Sequence, residues 1–285
     1  MLALVIVAVA VVRRSAVDDD SPSREEPLLP LIRLDLRPRE RPVIGVVGLE
    51  PGTGASTIAY NLATLVAVEG RVRGDREAAR PLPVCLLSEG ELATRLGLTA
   101  GPVRDYLKRH PGDVGDDFME LVSHDGPWLD LLCVPADRVG RRQLSRTVAV
   151  LRRRYDAVVI ACGTQDRFLT AALAEEADLL LVCIGQQGRP IPAPMVASAN
   201  ALLLGRESKA ILVQNRQPAG ADFDRVLPEF EYRVELPDDP EVRHVEAIGR
   251  PWVLWHGSAA GRRLNEIARA ALPRLFQPEV DVDAA

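Results

Sequence analysis

Six short apolar runs constrain the fold of this chain more than any other feature of its sequence. Each run has the length of a strand and lacks the alternation of apolar and polar residues that marks a strand with one exposed face. Helix-length amphipathic stretches separate the runs, an alternation typical of a parallel sheet with helices on both faces. We therefore predict an α/β, doubly wound fold with a mostly parallel sheet. The runs are residues 43–47, 83–87, 129–134, 157–161, 178–184 and 210–214.

The amino-terminal segment stands apart from this pattern. Residues 1–12, MLALVIVAVAVV, are all apolar and are followed by Arg13 and Arg14. A helix of this length spans roughly 18 Å, against roughly 30 Å for a hydrocarbon core. The run lacks the flanking pattern of a signal peptide, and the two arginines would hold its end in the cytoplasm if it inserts. Two interpretations follow: a membrane anchor, or a segment packed on the domain.

The order of these patterns predicts four parts: an apolar segment at 1–14, a charged, proline-bearing linker at 15–41, a P-loop-like domain at 42–276 and a tail at 277–285.

The net charge of -5 gives no overall reason to bind nucleic acid, so none is expected as a partner. The four cysteines lie in or at the end of apolar runs without C-x-x-C pairing, which indicates reduced core residues in a cytoplasmic protein, with anchoring to the inner face of the membrane as an option. They are Cys85, Cys133, Cys162 and Cys183.

The stretch VIGVVGLEPGTGAST, residues 43–57, has the layout of a strand, a glycine loop and a helix. A phosphate loop uses backbone N–H groups and a helix N-terminus for the anion, a lysine for the β and γ phosphates and a hydroxyl for magnesium. Gly52, Gly54, Ser56 and Thr57 retain the backbone and hydroxyl parts, with Ser56 as the magnesium ligand, while Ala55 removes the charge. Alternatively, the glycine turn serves only to let a helix pack closely.

Over most of residues 42–275 the chain resembles the MinD/ParA/CpaE branch of P-loop ATPases. The family loop KGGxGKT/S falls on residues 50–56, so that Glu50 and Ala55 replace its two lysines. YDAVVIACGTQD resembles the family's YDxVxxDxPxG, and LVQNR its strand beside the base. LPDDPEVRHVEAIGRPWVLWHG resembles the carboxy-terminal pattern of MinD and CpaE. EPGTGAST is also similar to the loop of bacterial tyrosine kinases that control polysaccharide chain length.

The resemblance implies which residues would bind nucleotide and how the protein would assemble. The relatives dimerise around nucleotide, so a homodimer or a heterodimer with an active paralogue is implied, with membrane contact through residues 1–12. Asn215 and Arg216 would border the base. The implied nucleotide-binding set is Gly52, Thr53, Gly54, Ala55, Ser56, Thr57, Asn215 and Arg216.

Departures from the family pattern concern the catalytic residues. The family's aspartates after the second strand fall on Ser88 and Gly90, and its metal-linked aspartate falls on Ala161. Phosphoryl transfer depends on positioning and charge neutralisation, so these losses predict a protein without catalytic residues.

Other charged residues are candidate substitutes for the lost groups. Lys209 begins its strand and should lie at the wrong edge of the sheet, whereas four other residues follow strands and are either surface charges or replacements. These four are Glu89, Asp166, Arg189 and Arg216.

Together these features predict a degenerate, non-hydrolysing pseudo-ATPase that binds ATP and magnesium weakly. It would act as a localisation or scaffold factor near the membrane, in pilus or envelope assembly. One alternative is a weak ATPase or tyrosine-kinase-like ATP-binding module of polysaccharide chain-length control, with arginine in place of lysine. A further alternative is a structural protein with an empty loop.

Overall fold

The computed structural model describes the central part of the chain. Residues 1–40 and 277–285 lie outside it, so the predicted apolar segment, tail and domain boundaries stay predictions. The described residues are 41–70, 81–111, 114–125, 128–135, 139–163, 167–185, 197–198, 200–202, 209–217, 230, 232–248, 250–254 and 258–276.

The described strands form one sheet in the order β3-β4-β2-β5-β1-β6-β7-β8. All neighbours are parallel except β3, which pairs antiparallel with β4 at one edge. This topology confirms the predicted doubly wound, mostly parallel sheet, and each of the six apolar runs lies in a strand, apart from Asp178, which precedes β6. The strands are β1 Val43–Gly48, β2 Pro83–Ser88, β3 Ser123–Asp125, β4 Leu129–Val134, β5 Ala157–Cys162, β6 Leu179–Gly185, β7 Ala210–Gln217 and β8 Tyr232–Pro237.

Helices follow most of the strands and cover the sheet. They are α1 Ala55–Glu69, α2 Glu91–Arg95, α3 Gly101–Arg109, α4 Arg141–Arg154, α5 Arg167–Glu176, α6 Pro240–Ala247, α7 Ala259–Ala271 and α8 Pro273–Phe276, with 3-10 turns at Asp116–Leu121 and Trp252–Leu254. Of the helix predicted at 194–204, residues 197–198 and 200–202 are helical and the rest lies outside the described residues. Within the described ranges, no helix has the length and apolar character needed to cross a membrane.

Two helical layers bury the sheet. Helices α3, α4 and α5 cover one face, where Leu107, Leu144 and Leu173 pack with Leu86 and Ile160 of the central strands. Helix α1 packs on β2 and β5, and α7 packs on α1 and β8. Full burial of one such aliphatic side chain contributes roughly 1.5–3 kcal/mol. Burial on both faces therefore explains why the central strands read as unbroken apolar runs.

Candidate functional site

A cleft of about 650 Å³ opens at the carboxyl ends of β1, β2 and β5. This volume is within the range of ordinary small-molecule sites, and the carboxyl edge is where open α/β sheets bind ligands. Four parts of the chain line it: the loop and first helical turn after β1, the segment from Ser88 to Arg95, the end of β5 with Leu169 of α5, and α6. Among the described residues its lining is Gly48, 50–57, 88–92, Arg95, Cys162, Gly163, Leu169, Arg243, Glu246 and Ala247.

The loop after β1 has a defined backbone shape that depends on two glycines. Gly52 has φ +83° and Gly54 has φ +80°, in the left-handed region that side chains with a Cβ disfavour. Between them, Thr53 is only 2% exposed. The Leu49 amide donates to the Cys183 carbonyl at 3.0 Å, which ties the start of the loop to β6. The chain therefore has a preformed loop at the position where the sequence predicts phosphate binding.

Asn215 holds this loop from β7. Its side-chain Nδ2 donates to the Thr53 carbonyl at 2.9 Å. A Cβ placed on Gly54 would lie 2.3 Å from the same nitrogen, so the residue at position 54 must be glycine for two reasons. Arg216 follows in β7. Asn215 thus contacts the predicted loop, and the base-bordering role of Asn215 and Arg216 stays a prediction.

Helix α1 presents its N-terminus to the cleft. Gly54 is the N-cap, and no side chain caps the first turn. The first N–H groups of a helix have no intrahelical acceptor, and the helix dipole favours an anion there. Ser56 and Thr57 are partly exposed and line the cleft, so their hydroxyl groups are accessible to a ligand. These features could accommodate a phosphate, and the contact of Ser56 with magnesium stays a prediction.

The charge around the loop is the reverse of what a phosphate needs. Ala55 is 7% exposed and contributes a methyl group where a lysine would neutralise the anion. A phosphate is held most strongly by charge-assisted bonds from arginine or lysine. The charged side chains that line the described part of the cleft are four carboxylates, Glu50, Glu89, Glu91 and Glu246, and two guanidinium groups, Arg95 and Arg243.

Both guanidinium groups are already engaged with the protein. Arg95 pairs with Glu91 on its own helix and donates to the Glu246 carbonyl at 2.9 Å, which joins α2 to α6 across the cleft wall. Arg243 lies 3.5 Å from the Asp238 carboxylate. Arg95 is therefore held in the cleft wall, whereas the Arg243 contact is a long ion pair between exposed side chains.

The predicted positions of the missing carboxylates lie together at the ends of β2 and β5. Ser88 donates its hydroxyl to the Ala161 carbonyl at 3.0 Å, and Ala161 is 1% exposed. Gly90 lines the cleft and Glu89, a predicted substitute, pairs with Arg104 at 2.5 Å. Across the described ranges, no cluster of histidine, cysteine, aspartate or glutamate is arranged to hold a metal ion. The other predicted substitutes, Asp166 and Arg189, lie outside the described residues.

Lys209 lies at the amino end of β7, where its Nζ donates to the Ala177 carbonyl at 3.0 Å. Since the loop lies at the opposite ends of the strands, this placement confirms that Lys209 does not replace the missing lysine.

The four cysteines are free thiols in the core. Burial raises the pKa of Cys85 and Cys183 well above the ordinary value, and burial with the nearby Glu89 carboxylate raises the pKa of Cys133 to about 11. Cys162 borders the cleft but is only 1% exposed. These environments confirm that all four cysteines lie in the core, and their reduced state in the cell stays a prediction.

Solved structures with the same architecture are P-loop ATPases. A ParA family ATPase from Chlorobium tepidum is 18% identical, with a TM-score of 0.60 over 80% of this chain and 97% of that one. MinD in the MinC:MinD complex of Aquifex aeolicus is 18% identical, with a TM-score of 0.61 over 81% and 96%. A variant of McdA from Cyanothece, in complex with ATP, is 14% identical, with a TM-score of 0.61 over 82% and 97%. No protein-family model and no curated protein sequence matches the chain.

These similarities extend across nearly the whole length of each neighbour. The chain therefore has the fold of the MinD/ParA P-loop ATPases, as its loop and carboxy-terminal patterns indicate. Sequence identities below 20% show this fold alone.

Sequence reasoning missed several residues that shape the cleft. Asn61, buried in α1, accepts from the Val253 amide at 3.1 Å and so fixes the turn after α6 against the loop helix. Arg95 and Glu246 close the cleft wall, and neither follows from a motif. Of these residues, only Asn61 could have been found from the sequence. An asparagine in an otherwise apolar helix indicates a hydrogen-bond partner elsewhere in the fold, because a buried amide side chain is normally hydrogen-bonded.

Proposed function

We propose that this protein is a non-hydrolysing, CpaE-like protein with the MinD/ParA fold, which acts as a localisation or scaffold factor near the membrane in pilus or envelope assembly. One observation carries the proposal. The phosphate loop is preformed at the cleft, while Ala55, Ser88 and Ala161 stand where the family has its lysine and two of its carboxylates. A site of this kind keeps a shape for a partner or ligand without the groups that accelerate hydrolysis.

Nucleotide binding at this site is proposed to be weak. The helix N-terminus and loop amides attract an anion, but the lysine contact is missing and four carboxylates line the cleft. A charge-assisted hydrogen bond contributes on the order of 1.5–3 kcal/mol, which corresponds to roughly 10- to 150-fold in affinity. Structural neighbours carry nucleotide, as Mg-ADP on Pyrococcus horikoshii MinD and AMPPNP on a Borrelia burgdorferi partition protein. We therefore expect the dissociation constant for magnesium-ATP to be well above micromolar.

Calorimetry with magnesium-ATP and a phosphate-release assay on the full chain test this proposal. We expect a dissociation constant far weaker than micromolar and no turnover above the buffer rate. Micromolar or tighter affinity would contradict the weak-binding argument. Turnover that is abolished by Ser56→Ala would instead favour the alternative, a weak ATPase or tyrosine-kinase-like module, because Ser56 is the residue that would bind magnesium.

The membrane part of the proposal depends on residues 1–12, which lie outside the described residues. Deleting residues 1–12 should release the protein from the membrane fraction while the thermal unfolding of the domain stays unchanged, because a linker separates the two. Val7→Arg serves as a second variant, since it keeps the length of the segment and breaks its apolar character. Full-length protein that stays in the supernatant of fractionated cells would refute the anchor.

The assembly proposed is a homodimer or a heterodimer with an active paralogue. Support comes from the shared fold and from the MinC:MinD complex, in which a protein of this fold binds a different partner. Light scattering of the full chain with and without magnesium-ATP tests self-association. A monomer in both conditions would exclude the homodimer. Co-purification with a tagged paralogue then tests the heterodimer.

A further inference from the structure

Asn215 of β7 contacts the phosphate loop at one peptide group. Its Nδ2 donates to the Thr53 carbonyl at 2.9 Å, and a Cβ placed on Gly54 would lie 2.3 Å from the same nitrogen. The Asn215 side chain is half-buried, and this is the hydrogen bond that joins it to the described part of the chain. The amide is therefore engaged with the peptide between Thr53 and Gly54.

The direction of this peptide decides where its N–H points. In a planar trans peptide the carbonyl and the N–H point in opposite directions. The Thr53 carbonyl points towards β7, which lies on one side of β1 beyond β6, whereas β5 and β2 lie on the other side. The cleft opens at the ends of β1, β2 and β5, and Gly54 lines it while Asn215 does not. The bond to Asn215 therefore turns the Gly54 N–H towards the cleft side of the loop.

The Gly54 N–H begins a series of backbone donors at the cleft. It donates to no acceptor among the described residues, and no side chain caps the first turn of α1, which begins at Ala55. Consecutive backbone N–H groups that face one point form the concave anion site of a phosphate loop. The orientation of the Thr53–Gly54 peptide thus decides whether a donor or a carbonyl oxygen faces an anion at the start of this series.

The loop itself offers little resistance to rotation of this peptide. Gly52 and Gly54 flank Thr53, both have a left-handed φ, and glycine reaches other backbone conformations at little steric cost. Rotation of the Thr53–Gly54 peptide would turn its carbonyl towards the cleft, where it would repel a phosphate. A hydrogen bond from outside the loop opposes this rotation, and Asn215 supplies one.

We propose that Asn215 is a positioning residue, which sets the phosphate loop for a polyphosphate and does not recognise the base. This role rests on the proposed weak binding of nucleotide, and it differs from the base-bordering role that the family resemblance implies. Because the contact acts on the loop, it contributes equally to every ligand that carries the phosphate chain, with or without a nucleoside. Inorganic pyrophosphate therefore reports on Asn215 as well as ATP does.

NMR titrations of the full chain with magnesium-ATP and with magnesium pyrophosphate test this role, because they follow weak binding. Asn215→Leu removes the donor and keeps the approximate size and shape of the side chain. Asn215→Ala is measured beside it, so that the result does not depend on how leucine packs. The matched control is Asn265→Leu: Asn265 of α7 is also half-buried, does not line the cleft, and accepts a hydrogen bond from Arg269 at 3.0 Å.

We expect both Asn215 variants to weaken the binding of ATP and of pyrophosphate by the same factor, roughly 2- to 10-fold, as for one lost hydrogen bond. Without ligand, the amide signals of Gly54 and Ala55 should broaden in these variants, because the peptide then exchanges between two orientations. Asn265→Leu should change neither the affinities nor these signals.

A loss of affinity confined to ATP would overturn the positioning role and assign Asn215 to the base. Unchanged affinities and unchanged loop amide signals would also overturn it, while the weak binding of the wild type would still stand. Equal weakening by Asn265→Leu would overturn it too, since a general loss of stability would then explain the effect. If the wild type binds neither ligand, both the positioning role and the proposed nucleotide site are wrong.

Discussion

Restoring the lysine of the phosphate loop, by Ala55→Lys, should tighten nucleotide binding without producing an ATPase. Ala55 is the first residue of α1 and lines the cleft, so we expect the longer side chain to extend into the cleft. There it can reach a bound phosphate. The gain should be at most roughly 10- to 150-fold, the equivalent of one charge-assisted contact of about 1.5–3 kcal/mol.

The cleft itself should reduce that gain. Glu50, Glu89 and Glu91 line the same space and compete with the phosphate for the ammonium group. Ala55→Met is the matched control, because methionine has a stem of similar length without the charge. Calorimetry should show tighter magnesium-ATP binding for the lysine variant alone. If methionine tightens binding as much as lysine, the gain comes from packing and the charge argument is wrong.

Turnover should stay at the buffer rate, because no carboxylate stands where metal and water must be held. The smallest restoring set is Ala55→Lys with Gly90→Asp and Ala161→Asp. Position 90 has room, since its nearest neighbour to an added Cβ is the Ser88 carbonyl at 3.9 Å, whereas Ala161 is 1% exposed and an aspartate there would be buried. Single-turnover hydrolysis by Ala55→Lys at an ordinary family rate would refute this reasoning and assign the function to Glu89 or Glu91.

Three further outcomes test the structure. Gly54→Ala should lower the free energy of unfolding in urea titrations by about 1–3 kcal/mol more than Gly52→Ala does. Both variants place an alanine on a left-handed backbone, but only the Cβ at position 54 would meet Asn215. Equal losses would show that the contact with Asn215 does not affect stability. Tyr155→Phe should reduce the loss of stability at alkaline pH. Burial and the hydrogen bond to Asp130 raise the pKa of Tyr155, so the protonated tyrosine stabilises the wild type fully below about pH 10, and this contribution is lost as the pH rises towards the pKa in the folded state. The same dependence of unfolding free energy on alkaline pH in both proteins would contradict this. The four buried cysteines should resist iodoacetamide at pH 8 until urea is added, as mass spectrometry can follow, and rapid labelling of the native protein would disprove their burial.

The sequence predicts the central sheet well because burial on both faces leaves a signal in every central strand. β3 and β8 carry no such signal. β3 has three exposed residues, and the face of β8 is only partly covered, so neither forms an apolar run. Their place in the sheet is decided by pairing with β4 and β7, which is a tertiary property.

Part of the cleft is predictable from the sequence, because some of its residues follow directly after the predicted strands. The loop glycines, Ala55 and the missing carboxylates stand at fixed spacings after strands, and the structure brings these positions to one edge. The wall built by Arg95 and Glu246 is not predictable, because the two residues are distant in sequence and meet only when α6 packs beside α2. The contact between Arg95 and the Glu246 carbonyl is likewise invisible in the composition.

Two glycines at strand ends, Gly48 of β1 and Gly185 of β6, bear on why the chain has a phosphate-loop shape without the lysine. A Cβ on Gly48 would lie 2.4 Å from the Thr53 hydroxyl oxygen, and one on Gly185 would lie 3.1 Å from the Thr53 Cα. Close packing of the loop on β1 and β6 therefore requires glycine whether or not a phosphate binds. Packing and phosphate binding are thus not exclusive interpretations of the same glycines. Packing thus accounts for Gly48 and Gly185, whereas the hydroxyls of Ser56 and Thr57 line the cleft, where a ligand would contact them.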